Sequence, residues 1–294
     1  SGLPHGAFFG VGAVVASRLA VKGKEAQSVA VMFSGLTVAN VVGVPLGTYI
    51  GHNFSWRYTF VVIAIIGLIT FISLMAYLPK LEAAKATNIK SQLIFFKKPQ
   101  AWLVMFITAI GCGGLFCWIS YIAPLLTDIS GFDAKNVPYI LMLAGVGMVV
   151  GNLVGARLAD KFSPSHTVFA VLIGMGVILA GVYFLSANQY LSLTLVFLAG
   201  FAAFALIAPV QMMMIQTAKG AEMIASAAIQ ASFNIGNALG AFLGGLPIVY
   251  GFSYASPNLV GVGMTLIGAL ATIVFIKTAS GFVPLTADEK TMMH

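Results

Sequence analysis

An all-α integral membrane fold, assembled from a duplicated helical unit, is predicted by three observations on this 294-residue chain. Hydrophobic residues make up 60% and charged residues 8%, where a soluble domain carries ~25% charged residues. The mean hydropathy is +0.99, so helix packing in lipid, rather than burial from water, sets the core. Lys22-Gly23-x-Glu25 returns as Lys219-Gly220-x-Glu222, and Asn40-x-x-Gly43-x-x-x-Gly47 returns as Asn237-x-x-Gly240-x-x-x-Gly244, both at an offset of 197 residues. With 32 Gly residues in the chain the glycine matches are cheap, but with only 8 acids the Glu match is informative. Two such units need about 390 residues, so the sequence reads as the later three quarters of a two-repeat protein.

Apolar runs of about 20 residues, the length that crosses a bilayer, are expected near 3–20, 28–51, 57–78, 101–126, 137–158, 167–186, 191–216, 223–250 and 258–277. The first does not read as a signal peptide, because no basic region precedes it and Arg18 follows it. The second and eighth are rich in Gly and start close behind charged turns. Between the third and fourth lies the longest polar stretch, 79–100, with five Lys, one Glu and two Pro. It is the expected linker between two six-span units, and Ile89 to Phe96 could lie at the interface as a short amphipathic helix. Three spans precede the linker and six follow, so the first three of twelve are expected to lie upstream of Ser1. The expected organisation is 1–78 (three spans), 79–100 (linker), 101–280 (six spans) and 281–294 (tail). In the fourth span, Cys112 and Cys117 are five apart and point away from each other. They read as small packing residues and not as a disulfide.

The connections alternate in charge. One set holds Arg18, Lys22, Lys24, Lys80, Lys85, Lys90, Lys97, Lys98, Arg157, Lys161, Lys219, Lys277 and Lys290, and the other only Arg57 and Lys135. This bias places the first set and the C-terminus in the cytoplasm. The net charge of +7 is spread over short loops without interleaved aromatics, which excludes a nucleic-acid partner.

Several segments resemble one family. Ser1-Gly-Leu-Pro-His-Gly-Ala-Phe-Phe-Gly-Val-Gly looks like the fourth helix of the major facilitator superfamily in its drug:proton antiporter branch. Gly43-Val-Pro45-Leu-Gly47 matches the fifth-helix motif of that branch. Phe54-Ser-Trp56-Arg57-Tyr58-Thr-Phe60 follows it, and Phe116-x-Trp118-x-Ser-Tyr121-x-x-Pro124 looks like the seventh helix. The likeness is nearest to AraJ-type, sugar-efflux-like members. It implies a major facilitator fold with nine of twelve helices present (three of the N-terminal half, six of the C-terminal), in a bacterial inner membrane. It also implies secondary active transport: proton-coupled export of a small amphipathic compound or sugar by alternating access. The second-half loop motif of the family departs here. Ala156 stands at a Gly position, Asp160-Lys161 match, Ser163-Pro164 replace Gly-Arg, and Gly155 could supply the close approach instead.

Gln230, Asn234 and Asn237 are spaced i, i+4, i+7 and share one helix face. Amides facing lipid are costly, so the face points into protein or a cavity. The functional reading is substrate hydrogen bonding, and the plainer one is interhelical bonding, to which Asn237 leans through its link with Gly240 and Gly244. Trp118 and Tyr121, three apart, could clamp an apolar or sugar ring, or could anchor the helix at the interface. His5 could bind substrate or carry a proton, or could be a structural donor. Gln211 sits deep enough in its span to line a cavity. Gly43, Gly47 and Gly51, like Gly236, Gly240 and Gly244, let helices approach closely and could allow sliding as well as packing. Asn40 belongs to the same repeated motif, and Pro45 can bend its helix. Arg157, Asp160 and Lys161 could form a gate-closing charge network, or a solvated basic loop. All eight acids lie in loops, at span ends or in the tail, so a proton-carrying carboxylate is expected upstream. The expected partners are a small-molecule substrate, protons and the bilayer, with the chain a monomer; no cofactor, metal or catalytic residue is expected. An intramembrane enzyme would need converging His, Asp, Ser or Cys groups, which the sequence does not offer. A non-transporting receptor or structural protein of the same fold is the other alternative.

Overall fold

The computed structural model describes residues 3–43, 46–47, 50–51, 54–77, 94–218 and 220–279, with the side chains of 3–7, 40, 94 and 279 outside that description. Most of the expected linker and the tail therefore fall outside it, as do Pro45 and the side chains of His5 and Asn40. Among the described residues the chain is all helix and loop, in nine helical spans. These are α1 (Leu3–Arg18), α2 (Glu25–Gly43), α3 (Trp56–Tyr77), α4 (Pro99–Ile119), α5 (Val137–Lys161), α6 (Pro164–Leu185), α7 (Gln189–Thr217), α8 (Glu222–Val249) and α9 (Pro257–Ala279). Eight, all but α1, are long and apolar enough to cross a membrane. Among the described residues, eight of the nine spans expected from the sequence thus reach crossing length, because the bilayer imposes a minimum apolar length that can be counted directly.

The repeated Lys-Gly-x-Glu element is a helix start. Gly23 and Gly220 have φ of 82° and 85°, a backbone that side-chain-bearing residues rarely adopt. The following residues, Lys24 (φ −128°, ψ 25°) and Ala221 (φ −138°, ψ 29°), match closely. Each Glu then turns back to accept a hydrogen bond from its glycine, Gly23 N–H to Glu25 Oε1 at 3.1 Å and Gly220 N–H to Glu222 Oε1 at 2.9 Å. The duplication shows here as geometry.

Helices α4–α9 form the main packed body. α4 contains a wide, π-type turn at Ile107–Cys112 and crosses α8 and α9 through glycines. A Cβ on Gly236 would stand 2.8 Å from the Ala109 carbonyl oxygen, and one on Gly114 would stand 2.6 Å from that of Gly261. α5 lies along α7 on Gly147, Gly151 and Gly155, whose Cα atoms rest against the carbonyls of Phe197, Phe201 and Ala205. α7 breaks at Leu206: Pro209 lacks the N–H that would bond Ala205, four residues back. Small residues let these backbones touch, which compensates in lipid for the absent hydrophobic drive.

The expected interfacial helix before α4 is described only over Ile94–Lys97, which forms a single tight turn. It is pinned to the body. Phe95 is buried beside Ala101 and Val104, Trp102 Nε1 donates to the Phe96 carbonyl at 2.7 Å, and Lys98 Nζ donates to the Thr217 carbonyl at 3.2 Å. By contrast α3 has no buried residue. α1 and α2 pack on each other through stacked Phe9 and Phe33, 5.5 Å apart, and reach the body through α5, α7 and α8, with Ala208 and Met212 of α7 joining their apolar cluster.

Candidate functional site

The two helix groups, α1–α3 and α4–α9, meet from the end that carries the basic loops inward. Asp160, in the last turn of α5, places its carboxylate over the first turn of α2. Its Oδ1 accepts from Ala26 N–H at 2.9 Å and its Oδ2 from Gln27 N–H at 3.0 Å. First-turn amides have no partner within their own helix, and their dipoles favour a negative charge. Below this cap runs a seam of small residues, with Ala156 and Ala159 of α5 against Ala26, Val29, Ala30 and Phe33 of α2. Two turns deeper, the buried Asn152 donates Nδ2–H to the Ala30 carbonyl at 2.7 Å. Gly145 then faces Val41. Residues 145, 152, 156 and 160 form one stripe of α5 at helical spacing. Beside it, α1 lies over α8, with Gly10 against the backbone of Ser226 and Ala227. Arg18 pairs with Glu222 at 3.8 Å, both partly exposed, a contact of small energetic weight.

The expected three-residue charge network reduces to Asp160. Arg157 and Lys161 sit on a different face of α5, both exposed, and make no ion pair among the described residues. Gly155 makes its close approach to α7, within the same group, while Ala156 is the residue that faces α2. Asn152 was not singled out from the sequence. Its signal was present as the 152–156–160 register with Ala156 and Asp160.

A second feature lies on α8. Gln230 is half-buried and Asn234 and Asn237 are exposed, starting one turn beyond the place where α1 crosses. Tyr121 joins this row from the end of α4, its Oη donating to the Ala241 carbonyl at 2.7 Å. Ala241 is four residues past Asn237, on the same face. The result is an uncharged strip of three amides and a phenol.

Two expected cavity residues lie elsewhere. Trp118 is 1% exposed, packed inside the body with Leu115, Ile122, Met148, Met175 and Leu179. The helix ends between Trp118 and Tyr121, and Tyr121 has φ −120° and ψ 14°, so three-residue spacing no longer puts the two rings on one face. Gln211 is 2% exposed and donates from Nε2 to Ser226 Oγ, tying α7 to α8. The ridge of Gly236, Gly240 and Gly244 packs on α4 in its own group, against Ala109, Gly113 and Cys117. Of the corresponding glycines in the first helix group, Gly43 has only Ala39 within 4 Å among the described residues, and Gly47 meets Thr59 of α3.

Residues 1–228 match the profile of the family described as the Major Facilitator Superfamily. The chain is 39% identical over 254 residues to AraJ of Escherichia coli (strain K12), named as a transporter, covering 86% of this chain and 64% of AraJ. It is 36% identical over 277 residues to the inner membrane transport protein YdhP of the same organism, covering 94% of this chain and 70% of YdhP. It is 35% identical over 251 residues to the uncharacterized MFS-type transporter YtbD of Bacillus subtilis (strain 168), covering 84% of this chain and 63% of YtbD. The chain spans roughly two thirds of the length of these relatives.

Proposed function

The chain belongs to the Major Facilitator Superfamily, and on that premise we propose that it forms the larger part of a multi-pass inner-membrane secondary transporter. The protein exports a small amphipathic compound or sugar by alternating access, driven by proton entry. The observation that carries this reading is the junction between the helix groups, capped by a carboxylate at its basic end. Asp160 and the alanine seam hold α2 to α5 at the basic end, taken as cytoplasmic from the charge bias, while the strip on α8 starts one turn past the place where α1 crosses. Opening the latch would expose the strip to the other side, which is what rocking of two groups around a central site requires.

In this reading Gln230, Asn234 and Tyr121 contact the substrate with uncharged hydrogen-bonding groups, and His5 is a further candidate. The Gly240–Gly244 ridge holds the wall against α4 with Asn237 exposed at its edge, and Trp118 and Gln211 stiffen it from behind. Asn40, Gly43, Pro45 and Gly47 are the matching gating and packing candidates of the other helix group. Flux in proteoliposomes under an imposed pH gradient, across a panel of sugars and amphipathic compounds, tests the proposal. Gradient-dependent movement of at least one compound is expected, and no movement of any would overturn it.

Two substitutions separate wall from core. Asn234→Ala removes an exposed hydrogen-bonding group and is expected to weaken transport or ligand affinity roughly 2- to 10-fold, with the melting temperature unchanged. Trp118→Ala empties a packed site and is expected to cost about 3–5 kcal/mol of stability, read as lost folded yield. Loss of fold in Asn234→Ala would instead make that amide a packing group.

A further inference from the structure

On the side of α5 turned away from the latch, a groove of about 560 Å³ opens between α5 and α6. Its lining is divided by chemistry. Lys161 and His166 stand at the basic end, and Leu158, Phe162 and Ala170 form an apolar wall. No acid lines it. Asp160, adjacent in sequence, is turned to α2 and already holds two amide protons. Lys161 makes no ion pair among the described residues, and its ammonium lies over the Phe162 ring at 5.3 Å. Ser163 Oγ accepts from the His166 amide at 3.2 Å and lies 2.6 Å from His166 Nδ1. Donating the hydroxyl proton to Nδ1 leaves the ring proton on Nε2, available to an anion.

The apolar wall continues along α6. Ala170, Ile173 and Val177 follow His166 at helical spacing and are all exposed, Val177 to 69%. From His166 to Val177 is about 16 Å along the axis at ~1.5 Å per residue, roughly half the thickness of a bilayer's hydrocarbon core. A cationic mouth at the basic end with an apolar track leading to the midplane complements one kind of molecule in both parts. We propose that this groove binds one anionic phospholipid, its phosphate between Lys161 and His166 and an acyl chain along Ala170, Ile173 and Val177. Basic pockets between membrane helices recognise anionic headgroups in this way, and the apolar track distinguishes a lipid from a free phosphate. The site is independent of whether the protein transports.

The protein is exchanged into mixed micelles containing dioleoyl phosphatidylglycerol or dioleoyl phosphatidylcholine, and lipid retained per chain is counted by native mass spectrometry. One phosphatidylglycerol per chain is expected, with phosphatidylcholine retained at least tenfold less. The double variant Lys161→Gln with His166→Gln, at two exposed positions, is expected to lower phosphatidylglycerol retention at least tenfold with no change in melting temperature. Ala170→Trp, which fills the apolar part and leaves both cations in place, is expected to do the same. Wild-type retention in either variant overturns the proposal. Displacement of the lipid by excess inorganic phosphate also overturns it, since the site would then take a small anion only.

Discussion

Gly151→Ala is expected to cost the protein most of its folded yield. The Cα of Gly151 rests on the backbone of α7 at Phe201, and an added methyl would overlap the Phe201 carbonyl oxygen, carbon and Cα. A crowded side chain can rotate away, but a backbone held in a helix cannot. The methyl is accommodated only by separating α5 from α7. Gly147 over Phe197 and Gly155 over Ala205 lie on the same seam, and Gly200 meets the Ala144 carbonyl from the other side, so separation at one point strains the rest. Overpacking typically costs about 1–3 kcal/mol, and this position lies at the upper end because the clash is with backbone. The control is Gly174→Ala on α6, where nothing lies within 4 Å and where Ala is the better helix former by about 0.5–1 kcal/mol. Thermal unfolding in detergent should show a large fall for Gly151→Ala and none for Gly174→Ala. Equal melting of the two would refute the tight seam.

Asp160→Asn is expected to open the basic end. The carboxylate gives one oxygen to each of two amide protons; an amide side chain keeps one oxygen and turns its own N–H groups toward the other donor. Hydrogen bonds to a charged acceptor contribute about 1.5–3 kcal/mol each, and the helix-terminal charge adds to this. Losing one bond shifts the closed-to-open ratio by roughly tenfold or more, since ~1.4 kcal/mol is a factor of ten. Spin labels at the exposed positions Lys24 and Phe162 report the separation of the two helix ends. A distribution extended to longer distances is the expected result, and an unchanged one would remove Asp160 from the latch.

What was legible in the sequence follows from how local each feature is. The spans were readable because each is an uninterrupted apolar run between polar turns. The alternating basic loops marked the end at which the helix groups meet. Asp160 stood out as an acid in a chain with few, but grouping it with Arg157 and Lys161 followed adjacency, where the helical register with Asn152 and Ala156 was the better guide. Trp118 and Tyr121 were paired by a three-residue rule that holds only inside an unbroken helix, and the helix ends between them. The Gln211–Ser226 bond joins residues on either side of a turn, so no periodicity within one helix could reveal it. The Lys-Gly-x-Glu repeat was visible as a pattern, but its content is a left-handed glycine and a Glu that bonds back to it.

The latch is written unequally on its two sides. α5 contributes the side chains of Asp160 and Asn152, while α2 contributes main-chain groups: the amides of residues 26 and 27 and the carbonyl of residue 30. Every amino acid carries that carbonyl, and every one except proline carries the amide proton. A saturation scan should therefore find α5 intolerant at 152 and 160. It should find α2 permissive at 27 to any residue but proline, and restricted at 26 and 30 to small residues other than proline. Genetic drift on one helix leaves the closure intact, and the vulnerability of the junction is concentrated in two codons of the other.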